Sequence, residues 1–450
     1  MKAKQHDIHH DITGKGVAGT GILEVQTTQL AIDALEVLTE NLMEQVCQSA
    51  NLNRAYKRVK SNKGSAGIDG MRVNELGDHI REHKEQLITS LLEGSYNPQP
   101  VRHVMIPKPG GGERQLGIPT VMDRLVQQAI YQILEPLYES KFSDSSYGFR
   151  PKRSAHMALK QAKSYVESGR PWVVDMDLEK FFDRVNHDIL MSRLARVIKD
   201  KRLLKILRRF LQSGIMQDGV VVDRYEGTPQ GGPLSPLLSN ILLDEVDKEL
   251  ERRGHKFCRY ADDQNIYVSS QRAGERVYAS IKQFLEVKLK LKVNEAKSAV
   301  AKVSERKFLG YRILTDGRLS LAPESLKRAR DKVRALTKRN RGRSFEQVVN
   351  ELNVFLKGWY NYFKQVETYS GFAKLDSWIR RKLRCYKLKQ KKNFKSLLRF
   401  LKSEGIPDRE ARQIGSSGKG VWRLSGTHTL HRALDIAWFQ SQGLFSLSGY

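Results

Sequence analysis

Ten residues, RYADDQNIYV from Arg259 to Val268, set Asp262 and Asp263 side by side where a run of strand-forming residues turns back on itself. Adjacent carboxylates repel each other, and a fold holds such a pair mainly where a cation is bound. Alone, an Asp-Asp pair in a turn is ordinary, because Asp favours turns through hydrogen bonds to its own backbone. A second acidic segment changes the reading. DMDLEKFFD, Asp175 to Asp183, carries Asp175 and Asp177 two residues apart and hence on one face of a strand. Asp183 falls in the turn beyond and is expected to cap a helix. Three convergent carboxylates bind hard divalent ions through oxygen, as Mg²⁺ prefers. Two such ions can activate a 3′-hydroxyl and stabilise a leaving pyrophosphate in an in-line displacement. The chemistry indicated is nucleotidyl transfer.

The surrounding sequence supplies elements to hold these acids. WVVDMDL, Trp172 to Leu178, reads as a buried strand, and RYADDQNIYV as a hairpin. After GTPQGGPLSP, Gly227 to Pro236, the spacing of Leu237, Leu238, Ile241, Leu242, Val246 and Leu250 predicts an amphipathic helix. HVMIPKPGGGERQLGIP, His103 to Pro119, reads as two short strands joined by a Pro-Gly-Gly-Gly turn, followed by helical spacing from Arg124 to Tyr138. Leu30 to Lys60 also has helical spacing. Downstream, Leu326, Ala329, Val333 and Leu336 mark one helix, and SFEQ, Ser344 to Gln347, is the capping box of a second that runs through Trp359. Residues 320 to 400 read as all-helical. A last helix is expected from Thr427 to Gln442, with Gly443 as its C-cap.

The chain has 450 residues, 40% of them hydrophobic, which is enough for several domains and a sizeable core. Its net charge of +28 points to a polyanionic partner, with nucleic acid the leading class. The excess is concentrated: residues 321 to 400 hold 22 Lys or Arg against 6 Asp or Glu. Arg380, Arg381, Lys382, Arg384, Lys387, Lys389, Lys391 and Lys392 crowd one short segment, a pattern suited to a phosphate backbone rather than to base reading. The first fifty residues are instead acidic on balance, so they are not a basic arm. Cys47, Cys258 and Cys385 lie far apart, which argues against a disulfide framework or a cysteine zinc site and fits a reducing cytoplasm. No apolar run is long enough for a membrane helix, and the N-terminus lacks the apolar core of a signal peptide. His6, His9 and His10 sit in a polar stretch and read as solvated.

YADD at Tyr260 to Asp263, DLEKFFD at Asp177 to Asp183 and PQGGPLSP at Pro229 to Pro236 resemble the reverse transcriptases encoded by group II introns. SNKGSAGIDG, MIPKPGGGERQLGIP, YGFRPKRSAH and FLGY at Phe308 to Tyr311 resemble the ordered blocks of that family's fingers and palm, and GWYNYF at Gly358 to Phe363 its maturase or thumb region. The likeness runs from about Leu42 to the C-terminus. It implies an α+β right-hand polymerase, with a polar tail (1–40), an N-terminal extension and fingers (41–170), a palm (171–318), a helical thumb or maturase domain (319–395) and a short C-terminal DNA-binding region (396–450). Neither the cysteine pairs nor the length of the nuclease that ends some members is present, so cutting of the second DNA strand is not expected.

Carried over by position, the resemblance makes Asp177, Asp262 and Asp263 the catalytic triad. These, with Leu178, would be the ligands of two Mg²⁺ ions, and Asp175 a neighbour rather than a ligand. Phe182 would lie under the incoming ribose and exclude a 2′-hydroxyl, unless Phe181 and Phe182 are both core. Lys108 and Arg114 flank the glycine turn and would clamp the triphosphate. Gln230 and Gly231 would pack against the templating pair, and Lys297, in NEAKS, would protonate pyrophosphate. The RNA-binding set is Arg380, Arg381, Lys382, Arg384, Lys387 and Lys389. The implied partners are the parent intron RNA, an RNA template with a DNA primer, target DNA and dNTPs, with no membrane; the implied role joins RNA-directed DNA synthesis to maturase-assisted splicing. Two other classes share parts of the pattern: a domesticated reverse transcriptase without an intron, and an RNA-binding splicing factor without polymerase activity.

Overall fold

The computed structural model describes residues 39–107, 111–217, 220–229, 231–368 and 370–449. In chain order its strands are β1 (Val101–Pro107), β2 (Glu113–Ile118), β3 (Trp172–Met176), β4 (Ile215–Gln217), β5 (Val220–Val222), β6 (Lys256–Tyr260), β7 (Asp263–Val268), β8 (Ala299–Lys302), β9 (Tyr311–Ile313) and β10 (Leu319–Leu321). The chain divides into two compact units. One comprises the N-terminal part to Phe142 with Glu179–Glu245 and Leu285–Lys292; the other comprises Ser143–Leu178, Val246–Phe284 and Val293–Tyr450.

In the first unit, β1 and β2 pair antiparallel from Arg102 opposite Ile118 to Pro107 opposite Glu113, giving the expected hairpin. Its tip, with Lys108, lies outside the described residues. β4 runs parallel to β1 and turns back into β5, so the sheet order is β2-β1-β4-β5. The helical stretch around Leu42 to Lys60 is two helices, Leu42–Cys47 and Ser49–Ser61, because Gln48 takes an extended ψ of 132° between them; residues 30–38 lie outside the described residues. Helix Val121–Glu139 starts where the Thr120 side chain accepts from Asp123 N, and it packs on Ser49–Ser61 through the buried Asn51, whose amide donates to the Val46 and Ala129 carbonyls. Asp200 ties two more helices. Its carboxylate accepts from Leu203 N at the start of Lys201–Gln212 and from Met43 N in Leu42–Cys47.

The second unit is built on the fully antiparallel sheet β6-β7-β3-β8. Tyr260 pairs with Asp263, so the β6–β7 hairpin closes in two residues, Ala261 and Asp262. Ala261 lies in the left-handed region at φ 59°, a conformation that a non-glycine residue holds only when its surroundings impose it. Gly148 is part of that imposition: a Cβ there would lie 2.2 Å from Ala261 N and 2.9 Å from Tyr260 C. Helix Ala155–Glu167 packs on the sheet through Ala158, Leu159 and Ala162 in one continuous core with Val173, Cys258 and Tyr267.

The same core continues into the helices Pro323–Leu336, Phe345–Phe363 and Ser370–Gln390. Ser344 and Gln347 form the expected capping box, each side chain accepting from the other's backbone N–H. Among the described residues, 320 to 400 hold the end of β10 and four helices, Pro323–Leu336, Phe345–Phe363, Ser370–Gln390 and Phe394–Ser403, with short non-helical connections between them, so the stretch is mostly rather than wholly helical. The expected last helix is instead two, His428–Ala433 and Ile436–Ser441. Leu434 leaves the helical region, and the Asp435 side chain accepts from Trp438 N to start a new turn. Gly443, at φ 73°, ends the second helix as expected. The chain is then pinned by Asp376, whose carboxylate accepts from Leu447 N, Ser448 N and the Ser446 and Ser448 hydroxyls.

Gly148→Ala forces the backbone of the two-residue hairpin to shift, and we expect it to destabilise the protein by roughly 2 kcal/mol or more while removing activity out of proportion to that loss. Ser344→Ala, at the capping box, is expected to cost about 1 kcal/mol and leave activity intact. Thermal denaturation and primer extension on both variants check this; equal effects on activity would refute the link between Gly148 and the hairpin.

Candidate active site

The hairpin that carries Asp262 and Asp263 is held from beneath by one side chain. Arg259, on β6, is 1% exposed and faces Asp247, which is fully buried. Its Nε reaches both Asp247 oxygens at 2.8 and 3.0 Å, and Nη2 reaches Oδ2 at 2.6 Å. The remaining protons go to the Ser146 hydroxyl, at 2.8 Å, and to the Ala261 carbonyl, at 2.9 Å. The Arg259 backbone also exchanges bonds with Ser145 and Tyr147. The strained turn is thus fixed from its side-chain and backbone flanks together.

Asp263 begins β7, and Asp175 lies next to it on β3, opposite Asn265. Asp177 follows just beyond β3; its backbone N–H donates to the Ser298 hydroxyl, and its carbonyl accepts from Asn294 N. Loss of hydration, and then the charges of Asp175, Asp262 and Asp177, push the Asp263 pKa up to about 8. Burial also raises Asp175, against the pull of Arg306. Arg306 donates to Asp175 Oδ2 from Nε at 2.8 Å and forms an ion pair with it, Nη2 lying 2.6 Å from Oδ2, and the Asn265 amide, oriented to suit its neighbours, donates to Oδ1 at 3.1 Å. Lys297 Nζ lies 3.6 Å from Asp177 Oδ2 on the exposed side. These groups line a cavity of about 790 Å³ that Asp175, Asp177 and Asp263 share with Lys297, Arg306 and Lys307.

Among the described residues, no group of three or more carboxylate, histidine or cysteine side chains forms a ready-made metal cage. The donor set nevertheless suits a hard divalent cation. It consists of carboxylate oxygens, and at Asp263 burial first and the neighbouring carboxylates second favour the protonated form, so a bound cation would take the place of that proton. Leu178, whose side chain is buried, could offer only its main-chain carbonyl, which is left out of the two bonds flanking its bridge to Val293.

The other expected contacts fall in the first unit. Of the adjacent aromatic pair, Phe181 is buried and Phe182 is half-exposed, with ring centroids 5.2 Å apart. The Phe182 carbonyl accepts from Thr228 N, which ties its short 3₁₀ turn, Phe181–Asp183, to the segment leading to Gly231. Asp183 is exposed in that turn and caps nothing; Asn186, three residues on, caps helix His187–Leu194 by accepting from Ile189 N. Gly231 sits at φ 126° against the Gly117 carbonyl, where a Cβ would come within 2.7 Å. Arg114 is exposed on β2, opposite Ile106. Gln230 lies outside the described residues.

The basic run on helix Ser370–Gln390 divides in two. Arg384 is 4% exposed, donates to the Leu434 carbonyl and lies over the Phe439 ring, so it holds the C-terminal helices rather than facing solvent; burial pushes its pKa down to about 10. Arg381 stacks 4.1 Å from the Trp422 ring centroid, and Lys387 lies over Phe345, Phe400 and Trp438. Arg380 and Lys382 are half-buried, and Lys389 is exposed. Sequence spacing gave no hint of this division, because the partners of Arg384 lie about fifty residues on. Arg306 and Arg259 were likewise missed as site residues; only the Arg that opens RYADD offered a signal.

Asp263 supplies a test. Its folded value of about 8 exceeds the ordinary carboxylate value of about 3.9, so its contribution to stability is full below about pH 4 and is lost as pH rises to about 8. In a chelator, Asp263→Asn is expected to melt at a higher temperature than the parent at pH 8, with the gap closing towards pH 5. Adding MgCl₂ should raise the parent's Tm more than the variant's. A pH-independent difference would refute the crowding described above.

The family described as "Reverse transcriptase (RNA-dependent DNA polymerase)" matches residues 106–313, and that described as "Group II intron, maturase-specific domain" matches residues 326–403. Protein YkfC of Escherichia coli is 34% identical, over 61% of this chain and 83% of its own length. The group II intron-encoded protein LtrA of Lactococcus lactis is 33% identical over 58% of this chain, which spans about half of that relative (54%). The putative COX1/OXI3 intron 1 protein of Saccharomyces cerevisiae is 31% identical over 53% of this chain and 28% of its own length. Among solved structures, a chain of the partial Cas6-RT-Cas1–Cas2 complex is 25% identical with a TM-score of 0.36, over 55% of this chain and 43% of that one. With the carboxylates of β3 and β7 falling inside the first matched span and the capped helices inside the second, the chain belongs to the reverse transcriptases that group II introns encode, RNA-directed DNA polymerases joined to a maturase domain.

Proposed function

We propose that this chain extends a DNA primer on an RNA template with two Mg²⁺ ions held by Asp177, Asp262 and Asp263, and that it binds its parent intron RNA, assists its splicing and supports its insertion into target DNA. The observation that carries the proposal is the Asp263 carboxyl, crowded by Asp175, Asp262 and Asp177 at a turn that Arg259 and Gly148 hold in place. When bound, the two ions supply Lewis acidity for the 3′-hydroxyl and charge stabilisation for the pyrophosphate.

The protein's own groups do the rest. Asp177, Asp262 and Asp263, with the Leu178 carbonyl in support, would hold the cations against which the reacting phosphate is oriented. Lys297, exposed beside Asp177, donates a proton to the departing pyrophosphate. Lys108 and Arg114 clamp the triphosphate of the dNTP, Gln230 and Gly231 pack on the templating pair, and the half-exposed Phe182 ring excludes a 2′-hydroxyl. Residues 41–170 serve as fingers, 171–318 as palm and 319–395 as thumb, with 396–450 contacting DNA. Lys382, Lys389 and Lys392 offer their ammonium groups to RNA phosphates, whereas Arg384 supports the helices beneath. The work belongs in the cytoplasm, beside the nucleoid.

Asp262→Asn is expected to cut Mg²⁺-dependent extension by ~10³-fold or more with RNA affinity nearly unchanged, since a lost ligand removes several kcal/mol of transition-state stabilisation. On intron RNA the same variant should still support splicing while making no cDNA. Lys382→Ala, Lys389→Ala and Lys392→Ala combined should lose splicing and flatten the salt dependence of binding by about 0.7–0.9 in log-log slope per phosphate contact. Scoring excised intron and cDNA in parallel decides it: if Asp262→Asn loses splicing as completely as the lysine variant with its fold intact, the two-function reading is wrong.

Phe182→Val should admit ribonucleotides by opening space beneath the sugar. Competition between dNTP and rNTP measures the change, and an unmoved ratio assigns the ring to packing.

A further inference from the structure

Asp175 stands outside the three carboxylates proposed above as cation ligands, and its two oxygens already have partners. Oδ2 accepts a bond from Arg306 Nε and is ion-paired with Nη2 at 2.6 Å, and Oδ1 accepts one from Asn265. The side chain is 12% exposed, so little water competes for it. Arg306 has a second duty. Its Nη2 also donates to the Lys297 carbonyl, in the turn that brings Lys297 Nζ to Asp177. One guanidinium therefore spans β3 and the Lys297 turn, and it does so from a position 131 residues after Asp175. Lys307, beside it, lines the same cavity and adds positive charge near Asp175 and Asp263.

We propose that Arg306 is a positioning residue for nucleotidyl transfer: by occupying Asp175 it keeps that carboxylate from competing for the catalytic cations, and by holding the Lys297 carbonyl it sets the distance from Lys297 to Asp177. The inference rests on the polymerase reading above and adds a specific division of labour among the four acids. Asp177, Asp262 and Asp263 are left to the cations, and Asp175 is neutralised within the protein. A guanidinium is suited to this because its fork can serve a carboxylate and a carbonyl at once; an ammonium supplies the charge without the fork.

The consequence has an unusual sign. Removing Arg306 uncovers one more carboxylate beside the cation ligands, so divalent cations should bind more tightly while turnover falls. In Arg306→Gln we expect the Mn²⁺ dissociation constant, measured by calorimetry on the full chain without substrate, to drop by on the order of three- to tenfold. kcat for primer extension at saturating Mg²⁺ should drop by about tenfold or more. Arg306→Lys should restore the Mn²⁺ affinity but only part of kcat. Adding Asp175→Asn to Arg306→Gln should return the Mn²⁺ affinity to the parent value, since the uncovered charge is gone. A purely structural role gives another pattern: a lowered Tm, weaker or unchanged Mn²⁺ binding, and no recovery in the double variant. Any of those Mn²⁺ results, in a protein whose circular dichroism matches the parent, overturns the proposal. Asp177→Asn serves as the separate control, because unchanged Mn²⁺ binding there means that the polymerase reading of the site, rather than the role of Arg306, has failed.

Discussion

A guanidinium and a carboxylate with almost no water between them hold the centre of the second unit. Arg259 and Asp247 are 1% and 0% exposed, and taking each ion out of water costs several kcal/mol. The pair is tolerable because three short bonds join it and the remaining Arg259 protons meet Ser146 and the Ala261 carbonyl. Such a pair adds little net stability, yet losing one partner is expensive, about 3–5 kcal/mol. Its value is directional. Ala261 occupies a left-handed conformation that its own side chain disfavours, and it stays there because its carbonyl is claimed by Arg259 and its amide is closely covered by Gly148. Asp262 and Asp263 are aimed by that constraint.

The acids above the hairpin and the ion pair below it follow opposite rules. Asp247 is satisfied by a fixed cation, so the fold gains a rigid strut. Asp263 is crowded by like charges, which leaves an unmet demand for positive charge at a place a substrate complex can reach. Asp175 lies between these cases, close enough to raise its neighbour yet occupied by Arg306. Activity and stability are therefore opposed at Asp263 and aligned at Arg259, although the two residues are only four positions apart.

What could be read from the sequence was local. The strand that carries Asp175, the turn at Asp262 and the capping box at Ser344 all depend on neighbours within a few positions, and each is found in the fold, although β3 stops at Met176 and leaves Asp177 just outside the strand it was expected to share with Asp175. Two breaks were hidden, at Gln48 and at Leu434, because the apolar spacing runs unbroken through both. The cap at Asn186 was assigned to Asp183 because an intervening 3₁₀ turn leaves no mark in the apolar pattern. The larger misreading concerns positive charge. A row of Arg and Lys along a helix looks like one solvated face, yet Arg384 is buried against the Leu434 carbonyl and Arg381 lies over Trp422. Arg306 and Asp175 meet across 131 residues, a pairing that spacing alone cannot disclose.

The carboxylate of Asp376 adds a matter of timing. It sits 3% exposed in helix Ser370–Gln390, and its partners, Ser446 to Ser448, lie 70 to 72 residues later. At about 5–20 residues per second, a ribosome makes the carboxylate roughly 4–14 s before it makes the groups that satisfy it. During that interval the helix must either leave Asp376 facing water or bury an unmet charge, and the first is far less costly. The helical region is thus expected to stay open while it is being synthesised and to close late, when the closing strap emerges, so that nascent chains stalled before Ser446 should present this helix to chaperones in a form the finished protein lacks.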